Sequence, residues 1–401
     1  MIYTLFIFTA FTGIYSCKKV YTPQLISVAT NFLAVDGAII SGDSTFIRLS
    51  RTTKLTDTTQ IKAELKAIVS VESDQNTKYT LTEKGKGLYV LGVTNFDKNR
   101  AYRLNIKTID GKIYQSDFVP MKVTPPIDSI YIKQTQPNEI TFYADSHDSA
   151  NDTRYYRFDY KDTWMYVPIY PTTHQYKNGF LSYVDQYSAD DIGHCFRFSN
   201  STELVVGSTV KLSQDVLKQQ RIFSLTSVSE KVAQTYVIHL NQYAITKEGF
   251  EYYEKLKKNT EQIGTIFDPQ PTFLTGNIRC ITSPNEPVMG FISASTVSRK
   301  QFTLYRKDNP IEPPEVNINI NGINRFAYPK PLLENCGIKS FGCPLVGRQP
   351  IYIGPKSSLA TGDSLLYSNE SPGTCIYAPK ACVDCRLRGG TSIKPAYYPI
   401  N

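Results

Sequence analysis

The 401 residues carry a net charge of +8 and 41% apolar side chains, the balance of a soluble globular protein long enough for two or three domains at about 150 residues each. Its 44 basic residues form no dense run and match no nucleic-acid-binding motif, which excludes nucleic acid as a partner; a mildly basic surface suits acidic polysaccharide or anionic lipid head groups instead. Abundant Tyr (28) and Phe (20), with Val, Ile and Thr, tilt the chain toward strands.

The chain opens on an apolar run, Ile2 to Ile14, that meets Tyr15-Ser16-Cys17 and turns basic at Lys18 and Lys19. Spanning a bilayer takes about 20 residues, so the run reads as the core of a secretory leader rather than as a membrane helix. Residues 1–16 are the expected signal peptide and Cys17 the expected lipid attachment site. Ile14, Ser16 and Cys17 fit the bacterial lipobox, whereas Tyr15 is bulkier than that pattern and no Lys or Arg stands near the start. The competing reading is an ordinary cleaved leader with Cys17 as one more disulfide partner. A polar tether, 17–24, follows.

From 25 to 123 the pattern is β throughout. Thr45, Ile47 and Leu49 alternate with Phe46 and Arg48, as in a strand with one buried face. Tyr102 to Thr108 returns through Ile113-Tyr114 across Asp110-Gly111, a dipeptide suited to the positive φ of a tight hairpin turn. About seven short strands predict an immunoglobulin-like β-sandwich. Residues 124–129, with Pro125-Pro126, read as a stiff hinge because proline disfavours both helix and ladder bonding.

Residues 130–310 read as a second β-rich domain, with a short helix expected at Gln214–Gln219. One long helix is expected over 246–264. Thr246 can cap it, Phe250, Tyr253, Leu256 and Ile263 recur at helical spacing, and Gly264 and Pro269 end it. Beyond Asn309-Pro310 periodicity dissolves, and 311–401 is a Cys-rich, irregular C-terminal region. The expected fold is therefore mainly β, with a sandwich, a second β-rich domain carrying one helix, and a covalently stapled end.

In an oxidising envelope the disulfide candidates are Cys195, Cys280, Cys336, Cys343, Cys375, Cys382 and Cys385, an odd set that leaves one thiol over. Cys382-x-x-Cys385 also admits a redox couple, helped by Arg386 and Arg388, or a zinc site with Cys375 and one earlier cysteine. Structural disulfides are the favoured reading, since neither a βαβ setting nor a second CxxC accompanies the motif.

His147, His174, His194 and His239 lie far apart, and none has a second ligand or triad partner at recognisable spacing. No catalytic residue, metal or cofactor is expected. The aromatics Tyr155, Tyr156, Trp164, Tyr166 and Tyr170 are candidate binding residues, because Tyr and Trp offer flat amphipathic area. The favoured reading is that these rings fill the sandwich core and a covering loop.

One set of residues is recognisable together: Thr45-x-Ile47-x-Leu49-Ser50-Arg51-Thr52, Pro125-Pro126-Ile127-Asp128-Ser129, Phe250-Glu251-Tyr252-Tyr253, Phe267-Asp268-Pro269-Gln270-Pro271, Gly276-Asn277-Ile278-x-Cys280 and Cys382-Val383-Asp384-Cys385-Arg386. This set resembles a family of Bacteroidota cell-envelope lipoproteins, the domain of unknown function DUF4249. The resemblance implies an outer-membrane lipoprotein held by lipid on Cys17 and acting as an accessory of a TonB-dependent receptor. The expectation is thus a non-enzymatic binding or docking protein. An adhesin or structural stalk is the alternative.

Overall fold

The computed structural model describes residues 31–53, 62–168, 174–177, 180–185, 187–188, 191–261, 274–311 and 384–399, and the backbone of short strands between 339 and 379. The leader, the tether, Cys17, Tyr170, Cys336, Cys343 and Cys382 lie outside the described residues, and Cys375 is described only as backbone within the strand Thr374–Pro379.

The fold is mainly β, and it begins with a hairpin of β1 (Leu33–Ser41) and β2 (Asp43–Arg51). In β2, Thr45, Ile47, Leu49 and Arg51 point inward while Phe46 and Arg48 point out, the alternation expected of a half-buried strand. Along the chain follow β3 (Lys62–Ala63), β4 (Ile68–Ser73), β5 (Lys78–Thr80), β6 (Thr82–Gly85), β7 (Leu88–Thr94), β8 (Ala101–Lys107), β9 (Ile113–Ser116) and β10 (Val119–Pro120). Of these, β3, β6 and β7 extend the first hairpin's sheet, and β4, β5, β8, β9 and β10 build a second sheet opposite it. The turn at Asp110-Gly111 forms as expected, with Gly111 at φ 85°. Between the sheets lie Leu33, Ile47, Leu49 and Tyr89 from one side and Val69, Val71, Leu104, Ile106 and Tyr114 from the other.

A second sandwich uses β11 (Ile127–Gln136), β12 (Glu139–His147), β13 (Tyr155–Tyr166), β14 (His174–Lys177), β15 (Phe180–Tyr183), β16 (Cys195–Asn200), β17 (Val205–Ser208), β18 (Val216–Thr226) and β19 (Tyr236–Ala244). The sheet β11-β12-β18 packs on β13 and β19 through Phe142, Tyr160, Phe223 and Tyr236, with the Phe142 and Phe223 rings stacked at 4.4 Å. No helix forms at Gln214–Gln219. From Val216 the chain pairs with β12, because Leu217, Ile222 and Phe223 gain more from burial in the core than an exposed turn of helix would return.

The long helix α1 (Lys247–Glu261) starts where expected: the Thr246 hydroxyl accepts the Gly249 N–H at 3.2 Å. Residues 262–264 of its expected span lie outside the described residues. Phe250, Tyr252, Tyr253 and Leu256 lay it across the outer face of the sheet, over Tyr155, Tyr243, Ala38, Ile40 and Phe291.

The chain then returns to the first sandwich. β20 (Ile278–Cys280) pairs with β9, and β21 (Val288–Met289) with β1 in parallel. The long β22 (Ala294–Leu304) pairs antiparallel with β19 and, at its start, parallel with β1 through Ile39–Ser41. Ile278, Cys280, Val288, Ile292 and Ala294 thereby enter the first core. One sheet runs unbroken in the order β16-β13-β19-β22-β1-β2-β7-β6 across both sandwiches.

Two domain expectations change in consequence. The first sandwich is not closed within 25–123, since residues 278–296 complete it. Nor is 124–129 a free hinge. Proline withholds an N–H but keeps its carbonyl, and here Pro125 O accepts from Gln242 Nε2 (2.9 Å) while Pro126 O accepts from Ser146 Oγ (3.0 Å). Thr124 donates its N–H to Thr296 Oγ1 (2.8 Å) and its hydroxyl accepts from the Ala244 N–H (2.9 Å). The segment is a crossover fastened to both sandwiches.

Candidate functional site

Strand alternation decides the fate of the aromatic candidates. Tyr156, Trp164 and Tyr166 occupy inward positions on β13. Tyr156 is fully buried and donates to Asp215 Oδ2 (2.8 Å), Trp164 Nε1 donates to Glu230 Oε1 (3.0 Å), and the Arg197 guanidinium lies 4.2 Å over the Tyr166 ring. Tyr155 faces outward but is pinned 5.1 Å from Phe250 of α1. These candidate binding aromatics are packing, the favoured reading, because their side chains sit between layers; Tyr170 lies outside the described residues.

The positions between those aromatics form a different surface. Arg157, Asp159, Lys161 and Thr163 project from β13 on the side away from the core. Ladder register sets Tyr243, Asn241 and His239 of β19 beside Arg157, Asp159 and Lys161, and Arg299 and Gln301 of β22 beside Asn241 and His239. On the other flank, β16 places Asn200 beside Lys161 and Phe198 beside Thr163. The result is a polar trough on the outer face of the continuous sheet.

Two clefts make up this trough. The first, of ≈ 370 Å³, is lined by Lys161, Thr163, Phe198, Asn200, His239, Asn241, Arg299 and Tyr397. The second, of ≈ 270 Å³, is lined by Asp36, Phe46, Arg48, Leu88, Arg157, Asp159 and Tyr243, and abuts α1, where Arg157 stacks 4.4 Å over Tyr243 and 5.6 Å over Tyr253.

Hydrogen bonds set the floor of the trough. Asp159 accepts from Asn241 Nδ2 (2.7 Å) and Tyr243 Oη (3.3 Å) and pairs with Arg157 (3.3 Å). Arg299 Nε donates to Asn241 Oδ1 (3.1 Å), and its guanidinium pairs with Asp43. Burial works against the charge on Asp43, yet the bonds from Arg299 and the Ser44 N–H hold its carboxyl below the usual carboxylate range. Among the described residues no carboxylate pairs with the exposed Lys161 ammonium. Burial first, and then that ammonium, push the His239 imidazole below its ordinary value, and its Nε2 has no hydrogen-bond partner among the described residues.

The C-terminal segment walls the first cleft. Cys385 is bonded to Cys195 of β16, 190 residues away, and both are fully buried. Beyond the bridge, Phe196 and Thr391 exchange backbone bonds of 2.8 and 3.0 Å, so the tail caps the start of the β16 edge. Gly390 permits this approach: a Cβ there would stand 2.6 Å from Cys195 Cβ. The tail then lies on the outer face, with Tyr397 Oη 2.9 Å from Thr163 Oγ1 and the Tyr397 ring edge-on to His239 at 4.5 Å.

The bridge also revises two cysteine readings. With Cys385 committed to Cys195, Cys382-x-x-Cys385 is neither a thiol couple nor half of a zinc site; Cys382 itself lies outside the described residues. Cys280, a disulfide candidate, is instead a buried free thiol in the first core, 3.5 Å from Thr282 Oγ1. Of the other histidines, His147 bonds Asp128 (2.8 Å) at an exposed strand end, and His194, largely covered, bonds the buried Asp191 (2.9 Å). Among the described residues no group of His, Cys, Asp and Glu could hold a metal ion, and no helix is long and apolar enough to cross a membrane.

Sequence reasoning missed Lys161, Asn241, Arg299 and Tyr397. The signal was present for the first, in the strict interleaving of Arg157, Asp159, Lys161 and Thr163 with buried aromatics; Arg299 and Tyr397 reach the site only through long-range pairing.

The model of the DUF4249 family, a domain of unknown function, matches residues 18–301. No curated protein matches the chain. Among solved structures, a segment of two fibronectin type III domains from chicken tenascin is similar at 9% identity over 69% of this chain and 99% of that one, with a TM-score of 0.16. The first three fibronectin domains of chicken CNTN1 are similar at 13% identity over 53% of this chain and 62% of that one, with a TM-score of 0.15.

Proposed function

The chain belongs to the DUF4249 family of domains of unknown function, and from that premise we propose that it is a lipid-anchored outer-membrane protein that binds or docks without catalysing a reaction, as an accessory of a TonB-dependent uptake receptor. Cys17 is the proposed attachment point. The family match starting at Lys18, the residue after it, supports the division between a removable leader and a working protein. The observation that carries the binding role is the polar trough, whose side chains are held by a sheet common to both sandwiches and by a tail that closes one wall. A surface held this rigidly loses little entropy when a ligand settles on it.

Mild solubilisation of outer membranes and capture of the tagged full chain should recover a TonB-dependent barrel. Its repeated absence would overturn the accessory role. Strong accessibility to external protease, again with no barrel recovered, would point to a surface adhesin or stalk. For the anchor, a palmitate analogue should label the wild type, and label persisting in Cys17→Ala would refute attachment at that sulfur.

A further inference from the structure

We infer that the cleft between Lys161, His239, Arg299, Phe198 and Tyr397 is a binding site for an acidic saccharide unit. The inference deepens the binding role proposed above by naming the chemistry of the occupant. Three observations carry it.

The first is the charge. Lys161 presents an ammonium with no ion-pair partner among the described residues, and Arg299 keeps a guanidinium more than half exposed beside it. The one carboxylate on Arg299 is Asp43; Asp162, also at the cleft, points to the core, where Lys231 Nζ (2.5 Å) and Tyr236 Oη (2.6 Å) already satisfy it. One positive charge on the cleft is thus left for a ligand anion.

The second is the apolar surface. Phe198 is 52% exposed and Tyr397 40% exposed, and both line the same cleft. Neither ring gains by facing water, and together they offer flat plates for the C–H face of a sugar ring. Asn200, exposed and lining the cleft, supplies a donor and an acceptor for hydroxyl groups.

The third concerns the backbone. The cleft lies on the face of a sheet in which β13, β19 and β22 are paired on both sides. At the edge of the sheet Thr391 pairs with Phe196 of β16. An extended peptide gains affinity by adding to a free sheet edge, whereas the floor of this cleft is the face of paired strands. Recognition on that face comes from side chains, which suits a ligand rich in hydroxyls and carrying a carboxylate or sulfate. The ≈ 370 Å³ of the cleft falls within the ordinary range of small-molecule sites.

The test uses the detergent-solubilised full chain. A panel of uronate-containing and sulfated oligosaccharides, each with its neutral counterpart, is screened for binding, with a matched panel of acidic peptides. At least one acidic oligosaccharide should bind, and its neutral counterpart should bind about tenfold more weakly or worse, with the difference shrinking as salt rises. Lys161→Gln, at an exposed position, should lose about tenfold in affinity for the acidic form alone, and Phe198→Ser should weaken both forms; far-UV circular dichroism confirms that each variant is folded. Failure of every acidic saccharide to bind, equal binding of charged and neutral forms, an unchanged Lys161→Gln variant, or a preference for acidic peptides would each overturn the assignment. Recovery of a barrel is read separately, so loss of that association with saccharide binding intact would refute the accessory role and leave the site standing.

Discussion

Replacing Cys195 and Cys385 together by alanine removes a covalent tie between residues 190 apart. For a closed loop of that length the chain-entropy model assigns about 5 kcal/mol to the bridge, through the unfolded state it restricts. The native state is otherwise little disturbed. Both sulfurs sit in a small cluster with Tyr166, and the tail keeps the Phe196–Thr391 bridge, the Met165 N–H donated to Tyr398 Oη (3.0 Å) and the bond from Tyr398 to the Thr235 carbonyl. With a urea m-value of about 3 kcal/mol per M, the unfolding midpoint should fall by ~1.7 M. Equilibrium unfolding can be followed by circular dichroism and by fluorescence of Trp164, the single tryptophan, which lies in the second core. A midpoint within ~0.3 M of the wild type, about 1 kcal/mol, would show that the bridge restrains nothing that the remaining contacts do not already hold.

Arg51→Met should cost about 2–3 kcal/mol in the same assay, because it leaves the largely covered carboxylate of Glu64 (2.6 Å) without its partner, while Glu286 keeps Lys112 (2.5 Å); a loss below ~1 kcal/mol would refute that account. Gly390→Ala forces a methyl group into Cys195 and should cost about 1–3 kcal/mol, read as faster proteolysis of the tail; an unchanged cleavage rate would count against the close approach. Since His239 has a folded-state value below its unfolded value of about 6.5, the unfolded chain takes up its proton first on acidification. Stability should therefore rise with pH through the window between the two values and level off above ~6.5, and His239→Gln should flatten that slope; an identical slope in the variant would exclude this histidine as the source. Residues 25–123 expressed alone should give the collapsed amide spectrum of an unfolded chain, because Ile278, Val288 and Ile292 are missing from the core at about 1.5–3 kcal/mol each; a dispersed spectrum would refute the closure by the returning strands.

Local features were legible because each rests on neighbours in the chain. The alternation of Thr45, Ile47 and Leu49, the Asp110-Gly111 turn and the Thr246 cap all appear where the residues place them. What the residues could not disclose is partner choice. β22 reads as a strand from its own pattern, but nothing local says that Ile39–Ser41, more than 250 positions earlier, lies alongside it in parallel. The same holds for Cys195 and Cys385, since seven cysteines after the leader admit many pairings. Pro125-Pro126 misled for another reason: the absence of an N–H is visible in the sequence, whereas the use made of a proline carbonyl depends on Gln242 and Ser146. The aromatics of β13 misled in the opposite sense, because large side chains attract attention that the smaller polar residues between them merit more at a surface.

The location of the trough follows from these long-range closures. Arg299 arrives on β22, which crosses from the second sandwich to β1, and Tyr397 arrives on a tail that the Cys195 bridge, the Thr391 pairing and the bonds of Tyr398 bring to the sheet. Lys161, His239 and Asn241 stand on strands internal to the second sandwich and would be present without either closure. A strand that couples two cores and a covalent latch at the sheet edge therefore both end at one cleft. Removing the bridge alone should leave the Tyr397 wall in place, because the Thr391 pairing and the Tyr398 bonds still hold the tail on the sheet. Ligand affinity in the Cys195→Ala, Cys385→Ala chain, measured in the absence of urea, should accordingly equal that of the wild type. Affinity lowered to that of a chain lacking the Tyr397 ring would mean that the sulfur bridge, and not these contacts, holds the tail against the cleft.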